Sequence, residues 1–346
     1  MNSVRWLGTA LQVLCGVVAV FAGTAPAVAQ EVTVLCNFEV DWCEALKTTY
    51  EKTTGQKAVF IRRTDGESLA QIRAEKSNPR ADVYHAAESA SAKQLAAEGL
   101  LEAYKSPQVA NLHDWAQRIA EENKYFQTPI YTGVLGWGYN TELLAKKKLP
   151  EPKCWKDLAN PVYKDEIQMA NPNASGTAYA TVATLVQIFG EDKAFEMLKA
   201  WHRNINNYPR SGVGPVRAVG RGETGIAVTF LHDGQTEIAN GFPVKILVPC
   251  EGTGYEVGSM SIVKGARNLD NARKFYDWAL TPAAQKIGAE TKNFQVPSNK
   301  AAPAPPGAPK MDEIKLINYD FAKYGSAAER KRLLEKWDKE VYAVPR

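Results

Sequence analysis

The sequence predicts an α/β protein made of two lobes, each with a doubly wound, mainly parallel sheet. Over most of the 346 residues, short apolar segments rich in β-branched residues alternate with segments of helical length and pattern. This alternation is typical of a parallel sheet with helices on both faces. A longer extended stretch at 126–139 and another at 259–263 are placed to carry the chain between lobes. The length also suits two lobes better than one small core.

The first 29 residues have the pattern of a secretory signal peptide. Arg5 supplies a charged start, an apolar run extends from Trp6 to Phe21, and Ala27-Val28-Ala29 is a small-residue cleavage pattern. A membrane anchor is the alternative, but Gly, Thr and Pro at 23–26 lead into the cleavage pattern. We therefore expect cleavage before Gln30 and a soluble exported protein in the periplasm. No later apolar run approaches the roughly 20 residues needed to span a bilayer.

The charge pattern argues against a nucleic-acid partner. The formal net charge is +4, and lysine and arginine are interspersed with aspartate and glutamate along the chain. A nucleic-acid-binding surface instead concentrates positive charge on one face.

Four cysteines remain after the predicted cleavage, and an even number in an oxidising compartment predicts disulfide bonds. Cys36 and Cys43 are close in sequence and are expected to pair. Cys154 and Cys250 are then paired by elimination. Metal binding is the alternative, but the cysteine spacings match no zinc pattern.

The predicted first lobe opens with three strand and helix units. The strands are expected at 31–35, 58–62 and 81–84, and the helices at 41–53, 68–75 and 89–98. Thr64, followed three residues later by Glu67, has the pattern of a capping box at the second helix. Such a cap also presents outward amide donors, so Thr64 is a candidate anion ligand.

The predicted second lobe contains two helix entries rich in small residues. Its strands are expected at 167–170, 226–230 and 243–248, and its helices at 141–148, 178–189 and 215–220. Ser175-Gly176-Thr177 precedes one helix, and Ser211-Gly212 follows Arg210 before another. Together they predict an anion cradle made of main-chain amides, hydroxyls and the positive ends of helix dipoles. The alternative is that each is an ordinary N-cap.

The stretch Gly222–Gly234 is the centre of the predicted site. Its buried strand, 226–230, delivers His232 and Asp233 to the carboxyl end of the sheet, which faces the ligand crevice in open α/β folds. A carboxylate beside an imidazole suits hydroxyl groups, because both side chains accept hydrogen bonds and the imidazole also donates. The alternative is a helix or turn start at Asp233. Glu256 is expected beside the same crevice, with a solvated hinge carboxylate as its alternative.

The rest of the chain completes the predicted domain organisation. Helices are expected at 268–280, 283–289, 311–323 and 327–342, with a Pro/Ala surface loop at 301–309. The predicted first lobe is discontinuous, 30–133 plus 257–310. The second lobe is 134–256, and the C-terminal helices, 311–346, hold the two lobes together.

The chain resembles a known family, the periplasmic solute-binding proteins of ABC importers. Within that family it resembles the cluster that contains iron-binding members. The segments that carry the resemblance span nearly the whole mature chain: VTVLCNF, ADVYHAAESASAKQLAAEGLLEAY, GYNTELL, GETGIAV and NARKFYDWALTPAAQ. The resemblance implies the type II periplasmic binding protein fold, with two crossing strands and a ligand between the lobes. It also implies a monomer that is not an enzyme, needs no cofactor, and has a small-molecule ligand and an ABC permease with its ATPase as partners.

The resemblance also bears on the ligand. Ferric members have a tandem tyrosine where this chain has Leu231-His232-Asp233, and their carboxylate after the third strand is replaced here by Ala86-Ala87. Because Fe(III) prefers anionic oxygen ligands, a ferric role is disfavoured. Two sets instead resemble those of hexose-phosphate-binding members. The hexose set is His232, Asp233 and Glu256; the phosphate set is Thr64, Ser175, Gly176 and Thr177. Ser211 and Gly212, from the second helix entry, are expected to complete the ring of groups around the phosphate.

The sequence therefore predicts a binding protein for a phosphorylated sugar, with no metal site. Ferric iron or a phosphonate is the alternative cargo for the same fold, and transport cannot be separated from a sensor role. A periplasmic sugar phosphatase using His232 and Asp233 is a further alternative. It is disfavoured because the chain has no nucleophile elbow and no metal-ligand cluster with usable spacing.

Overall fold

The structure, a computed structural model, describes residues 31–308 and 313–346. The predicted signal peptide and its cleavage site before Gln30 lie outside these residues. Within the described part of the chain, no helix combines the length and the apolar character that crossing a membrane requires.

The strands and helices alternate in the predicted way. The strands are β1 Val32–Cys36, β2 Ala58–Arg62, β3 Val83–Glu88, β4 Leu101–Glu102, β5 Thr128–Asn140, β6 Ile167–Gln168, β7 Ile205–Asn207, β8 Ile226–Phe230, β9 Val244–Leu247, β10 Tyr255–Val263 and β11 Val296–Pro297. The helices are α1 Val40–Thr54, α2 Asp65–Ala74, α3 Ser89–Ala97, α4 Asp114–Glu122, α5 Thr141–Lys147, α6 Gly176–Phe189, α7 Glu191–His202, α8 Gly214–Gly220, α9 Leu231–Ala239, α10 Leu269–Ala279, α11 Pro282–Gln285, α12 Ile287–Glu290, α13 Phe321–Tyr324 and α14 Ala327–Trp337.

Most of the expected elements are confirmed, and the differences are in short strands, in the end of β3 and in several helices. Strands β2 and β8 have the predicted bounds. The expected helix over 311–323 is wrong, since within the described residues 313–323 regular α-helix begins only at Phe321, in α13. Helices α4 and α7 were not predicted. Their apolar residues are diluted by charged ones, and only packing against a lobe shows which face is buried.

The sheet is continuous through both lobes because β5 pairs with β10 over its first part and with β8 and β9 over its second part. The strand order is β2-β1-β3-β10-β5-β8-β6-β7. The first part of β5, Thr128–Val134, pairs antiparallel with β10, and the second part, Leu135–Asn140, pairs with β8 and β9. The two predicted crossing stretches are therefore the two long strands that connect the lobes. The fold is α/β, as the sequence predicts.

Separate hydrophobic cores lie on the two sides of these crossing strands. One core packs β1, α1 and α10, with Phe275 and Tyr276 at its centre. The other contains Trp155 and Trp201 and also Trp337 from α14, all fully buried. The C-terminal helix thus packs mainly on the second lobe, and it reaches the first through Arg330, whose Nη1 lies 3.7 Å from Glu88 Oε2.

Both predicted disulfide bonds are present. Cys36 pairs with Cys43 at the start of the first lobe, and Cys154 pairs with Cys250 across 96 residues of sequence. The second bond joins the turn before Trp155 to the segment that enters β10. It therefore fastens the base of the crossing strand to the second lobe.

Candidate functional site

Strand β8 positions one end of the candidate site. All five of its residues are buried, because it lies between β5 and β6 in the middle of the second-lobe sheet. Helix α9 begins at Leu231, directly after the strand, and places His232 and Asp233 in its first turn. The His232 ring stacks on Phe230, with ring centroids 5.4 Å apart. The alternative in the sequence was a helix or turn start at Asp233, and the structure has a helix start two residues earlier, at Leu231. A ligand-binding role for His232 and Asp233 stays a prediction.

His232, Asp233 and Glu256 meet although Glu256 comes from a different strand, β10. We call these three residues the acid end. His232 Nε2 lies 3.5 Å from Asp233 Oδ1 and 3.8 Å from Glu256 Oε1. The Glu256 side chain is only 16% exposed, so the alternative of a solvated hinge carboxylate is wrong. Gly133 makes the approach possible, because a Cβ there would lie 2.6 Å from the His232 ring.

Burial changes the protonation of the acid end. It lowers the pKa of His232 to about 3, so the imidazole is neutral. It raises the pKa of Asp233 to about 7, against the opposing effect of the Thr229 hydroxyl 3.3 Å away. The pKa of Glu256 is raised well above its usual value by burial and by the nearby charges of Asp233 and Glu88. Near neutral pH the acid end therefore offers both hydrogen-bond donors and acceptors.

The other end of the candidate site lies at the start of α6. We call Ser175, Gly176, Thr177 and Gly212 the amide end. Ser175 caps the helix, with its Oγ accepting from the Ala178 N–H at 3.4 Å. A Cβ on Gly212 would overlap Thr177 Oγ1 and lie 3.0 Å from Ser175 Oγ. The two small-residue helix entries therefore pack against each other, as a single cradle requires.

Thr64 and Ser211 are both exposed. Thr64 forms the predicted capping box: its hydroxyl accepts from the Glu67 N–H at 3.4 Å, and its own N–H donates to Glu67 Oε2 at 2.8 Å. Its main-chain donor is thus occupied by the cap. The Ser211 carbonyl accepts from Gly214 at the start of α8. A ligand-binding role for these two residues stays a prediction.

Glu88 is the main residue that the sequence analysis missed. The sequence predicts a third strand over 81–84, which ends before Ala86-Ala87. In the structure β3 continues to Glu88, whose Oε1 lies so close to Gly176 that a Cβ on that glycine would overlap it. The available clue was position, because β3 and β8 run in opposite directions and their carboxyl ends point towards each other along β5.

Glu88 is held between an acid and a base. Its N–H donates to Asp65 Oδ1 at 3.1 Å, and Arg330 Nη1 lies 3.7 Å from its Oε2. Burial and the Asp65 charge raise the pKa of Glu88 to about 7, although Arg330 opposes the shift. Arg330 also lies over the Tyr179 ring, 4.4 Å from its centroid. No local pattern marked Arg330, because its partners are far away in sequence.

His232, Asp233 and Glu256 are not among the described residues that bring three possible metal-ligand atoms within 4.8 Å of one another. Among the described residues, one group of His, Cys, Asp and Glu brings three ligand atoms within 4.8 Å of one another, namely Cys154, Cys250 and Glu251. Its two cysteines are joined in a disulfide, so they offer no thiolates.

Comparison with known proteins identifies similar chains. The family model described as bacterial extracellular solute-binding protein matches residues 78–324. An uncharacterized protein of Haemophilus influenzae is 44% identical over 89% of this chain and 90% of its own length. A putative 2-aminoethylphosphonate-binding periplasmic protein of Salmonella typhimurium is 26% identical, over 70% of each chain.

A solved structure is similar over almost its whole length. It is the periplasmic binding protein AfuA from Actinobacillus pleuropneumoniae, with exogenous fructose-6-phosphate bound. The TM-score is 0.84 and the sequence identity is 42%, and the match covers 91% of this chain and 99% of that one.

Proposed function

The chain belongs to the bacterial extracellular solute-binding proteins, and from this premise we propose that its solute is a phosphorylated sugar. As a solute-binding component of an ABC importer, it binds a small molecule and delivers it to a membrane permease. The family is exported to the periplasm. In this proposal the two lobes, 30–133 with 257–310 and 134–256, close on the ligand as a monomer, without catalysis.

The observation that supports the proposal is that Glu88 lies close to both the acid end and the amide end. Glu88 connects them: its carboxylate lies against Gly176 of the amide end, and its charge raises the pKa of Glu256 at the acid end. Carboxyl groups and an imidazole suit sugar hydroxyls. The start of a long helix, with unpaired main-chain N–H groups and a positive dipole end, suits a phosphate. The bound fructose-6-phosphate in AfuA supports the same pairing.

Calorimetry with four probes tests the proposal: fructose 6-phosphate, glucose 6-phosphate, fructose and inorganic phosphate. We expect at least one phosphorylated sugar to bind more than tenfold tighter than either half alone, because only the whole molecule uses both ends. Equal or absent binding across the four probes would reject the proposal. Release of inorganic phosphate at a catalytic rate in the same samples would instead favour a phosphatase.

A phosphonate that carries an amine is the second candidate. The observation that favours it is the acid end itself, where Asp233 and Glu256 are in contact with an imidazole that is neutral. An ammonium group would supply the missing positive charge. Adding 2-aminoethylphosphonate to the calorimetric panel decides between the two, since the tighter ligand identifies the class. A colour on loading with ferric iron would instead indicate an iron-binding protein.

A further inference from the structure

We propose that Arg330 of α14 is a ligand-binding residue, whose guanidinium group donates hydrogen bonds to the phosphate of the bound solute. This inference rests on the proposed function and deepens it, because it adds the cation that recognises the charged group of the ligand.

The hydrogen-bond donors of Arg330 are available to a ligand. Within the described part of the chain its guanidinium group makes no hydrogen bond, and the 3.7 Å between its Nη1 and Glu88 Oε2 is too long for one. Arg221 shows the contrast, since its Nε and Nη2 donate to the two carboxylate oxygens of Glu223 at 2.6 and 3.1 Å. Such a two-bond fork is the strong geometry for an arginine and an oxygen anion. The fork of Arg330 therefore remains open to a second anion.

Arg330 is nevertheless held in place. Its Cζ lies 4.4 Å from the centroid of the Tyr179 ring, and the Tyr179 hydroxyl donates to the Tyr324 carbonyl at 2.6 Å. Both tyrosines are buried, so the ring is a fixed platform. Stacking uses the face of the guanidinium group and leaves the N–H groups at its edge exposed to a ligand. Because the fork is already oriented, it loses little freedom when it binds an anion.

Arg330 lies beside both ends of the candidate site. Tyr179, on which it stacks, follows Gly176 by three residues and lies on the same face of α6 as the amide end. A cavity of about 40 Å³ is lined by Arg330 and also by Glu256 of the acid end. Of the described residues that line this cavity, Arg330 is the one with a positive charge. A single ligand can therefore contact the acid end and Arg330 together.

A groove also leads from the solvent to Arg330. It has a volume of about 330 Å³, within the size range of small-molecule sites, and lies between α3 of the first lobe and α14. Gln94, Asn173 and Arg330 are among the residues that line it. Because Arg330 lines both this groove and the inner cavity, it stands where an entering anion meets the candidate site.

The test compares the affinity for fructose 6-phosphate in the wild type, Arg330→Gln and Glu88→Gln, measured by calorimetry. Glutamine at position 330 removes both the charge and the fork. We expect Arg330→Gln to bind more weakly than wild type by about tenfold or more, because charged hydrogen bonds to the phosphate are lost. Glu88→Gln should bind at least as tightly as wild type, because the Glu88 carboxylate only competes with the phosphate for Arg330.

The matched control is Arg221→Gln, which removes an arginine that pairs with Glu223 at the surface, and its affinity should equal that of wild type. If Arg330→Gln binds as tightly as a wild type that does bind fructose 6-phosphate, the inference is wrong and the proposed function stands. Equal losses in Arg330→Gln and Glu88→Gln would also overturn the inference, because Arg330 would then act through its ion pair with Glu88.

Two further outcomes are decided by the same measurement. If the wild type binds no phosphorylated sugar, the inference and the proposed function both fail. Arg330→Lys keeps the positive charge and removes the planar fork, so it serves under the same criteria, with a smaller expected loss, should the glutamine variant fold poorly.

Discussion

The acid end and the amide end of the cleft are built by opposite means. At the acid end, buried side chains from helix α9 and strand β10 converge, and burial shifts the pKa of each one. At the amide end, the proposed ligand groups are main-chain N–H groups, and side chains matter mainly by being small. We therefore expect ligand affinity to depend on side-chain chemistry at the acid end and on added volume at the amide end.

Removing a side chain from the acid end should have the largest effect on the affinity for fructose 6-phosphate. We expect Asp233→Ala to weaken fructose 6-phosphate binding by more than tenfold, because a hydrogen bond to a charged group contributes about 1.5–3 kcal/mol. Calorimetry measures the change. Binding of inorganic phosphate should be unaffected, since that probe uses the amide end alone. Asp270→Ala, at an exposed position in the first turn of α10, is the control. An equal loss for both probes would mean that the two ends are not distinct.

Adding volume to the amide end should have a smaller effect with the opposite pattern. In Gly212→Ala the new methyl group would meet Thr177 Oγ1 and Ser175 Oγ. An overpacked site costs about 1 kcal/mol or more, which corresponds to roughly fivefold weaker binding. The loss should appear for fructose 6-phosphate and for inorganic phosphate alike. The control is Gly66→Ala, where a Cβ meets nothing within 4 Å. Unchanged binding of inorganic phosphate by Gly212→Ala would contradict the assignment of this end.

The smallest expected effect is on the stability of the ligand-free protein. Folding raises the pKa of Asp233 to about 7, above its pKa in the unfolded chain. The contribution of this group to the free energy of unfolding is therefore fully present below the unfolded pKa and is lost as pH rises through about 7. Asp233→Asn should therefore raise the melting temperature by about 2 °C at pH 8 and leave it unchanged at pH 3. Thermal unfolding followed by circular dichroism measures both.

A surface carboxylate provides the control of opposite sign. Arg332 and Lys336 lower the pKa of Glu191 to about 2. Its contribution to the free energy of unfolding is therefore present above the pKa of this group in the unfolded chain and is lost as pH falls through about 2. Glu191→Gln should lower the melting temperature at pH 8. A lower melting temperature for Asp233→Asn at pH 8 as well would show that Asp233 is not destabilised by its burial.

The acid end could be predicted from the sequence because one strong local pattern positions it. The apolar run 226–230 has the length and composition of a central strand, so the residues after it had to lie at the edge of the sheet. The capping box at Thr64 and both disulfide bonds were likewise predictable from spacing and number.

The remaining parts depend on contacts that no local pattern contains. Arg330 reaches Glu88 only because α14 packs its Trp337 into the second-lobe core. The end of β3 was misplaced because two alanines before Glu88 look like the start of a helix. Its true end follows from pairing with β10, in which Gly258 lies opposite Glu88. The position of Glu88 beside Gly176 therefore depends on tertiary packing.

The most direct test of the two-ended cleft is a crystal structure with fructose 6-phosphate bound. We predict the phosphate within hydrogen-bond distance of the main-chain nitrogens of Gly176 and Thr177, and sugar hydroxyls in contact with Asp233 and Glu256. A structure in which residues 232, 233 and 256 point away from the gap between the lobes, or surround a bare metal ion, would contradict the account.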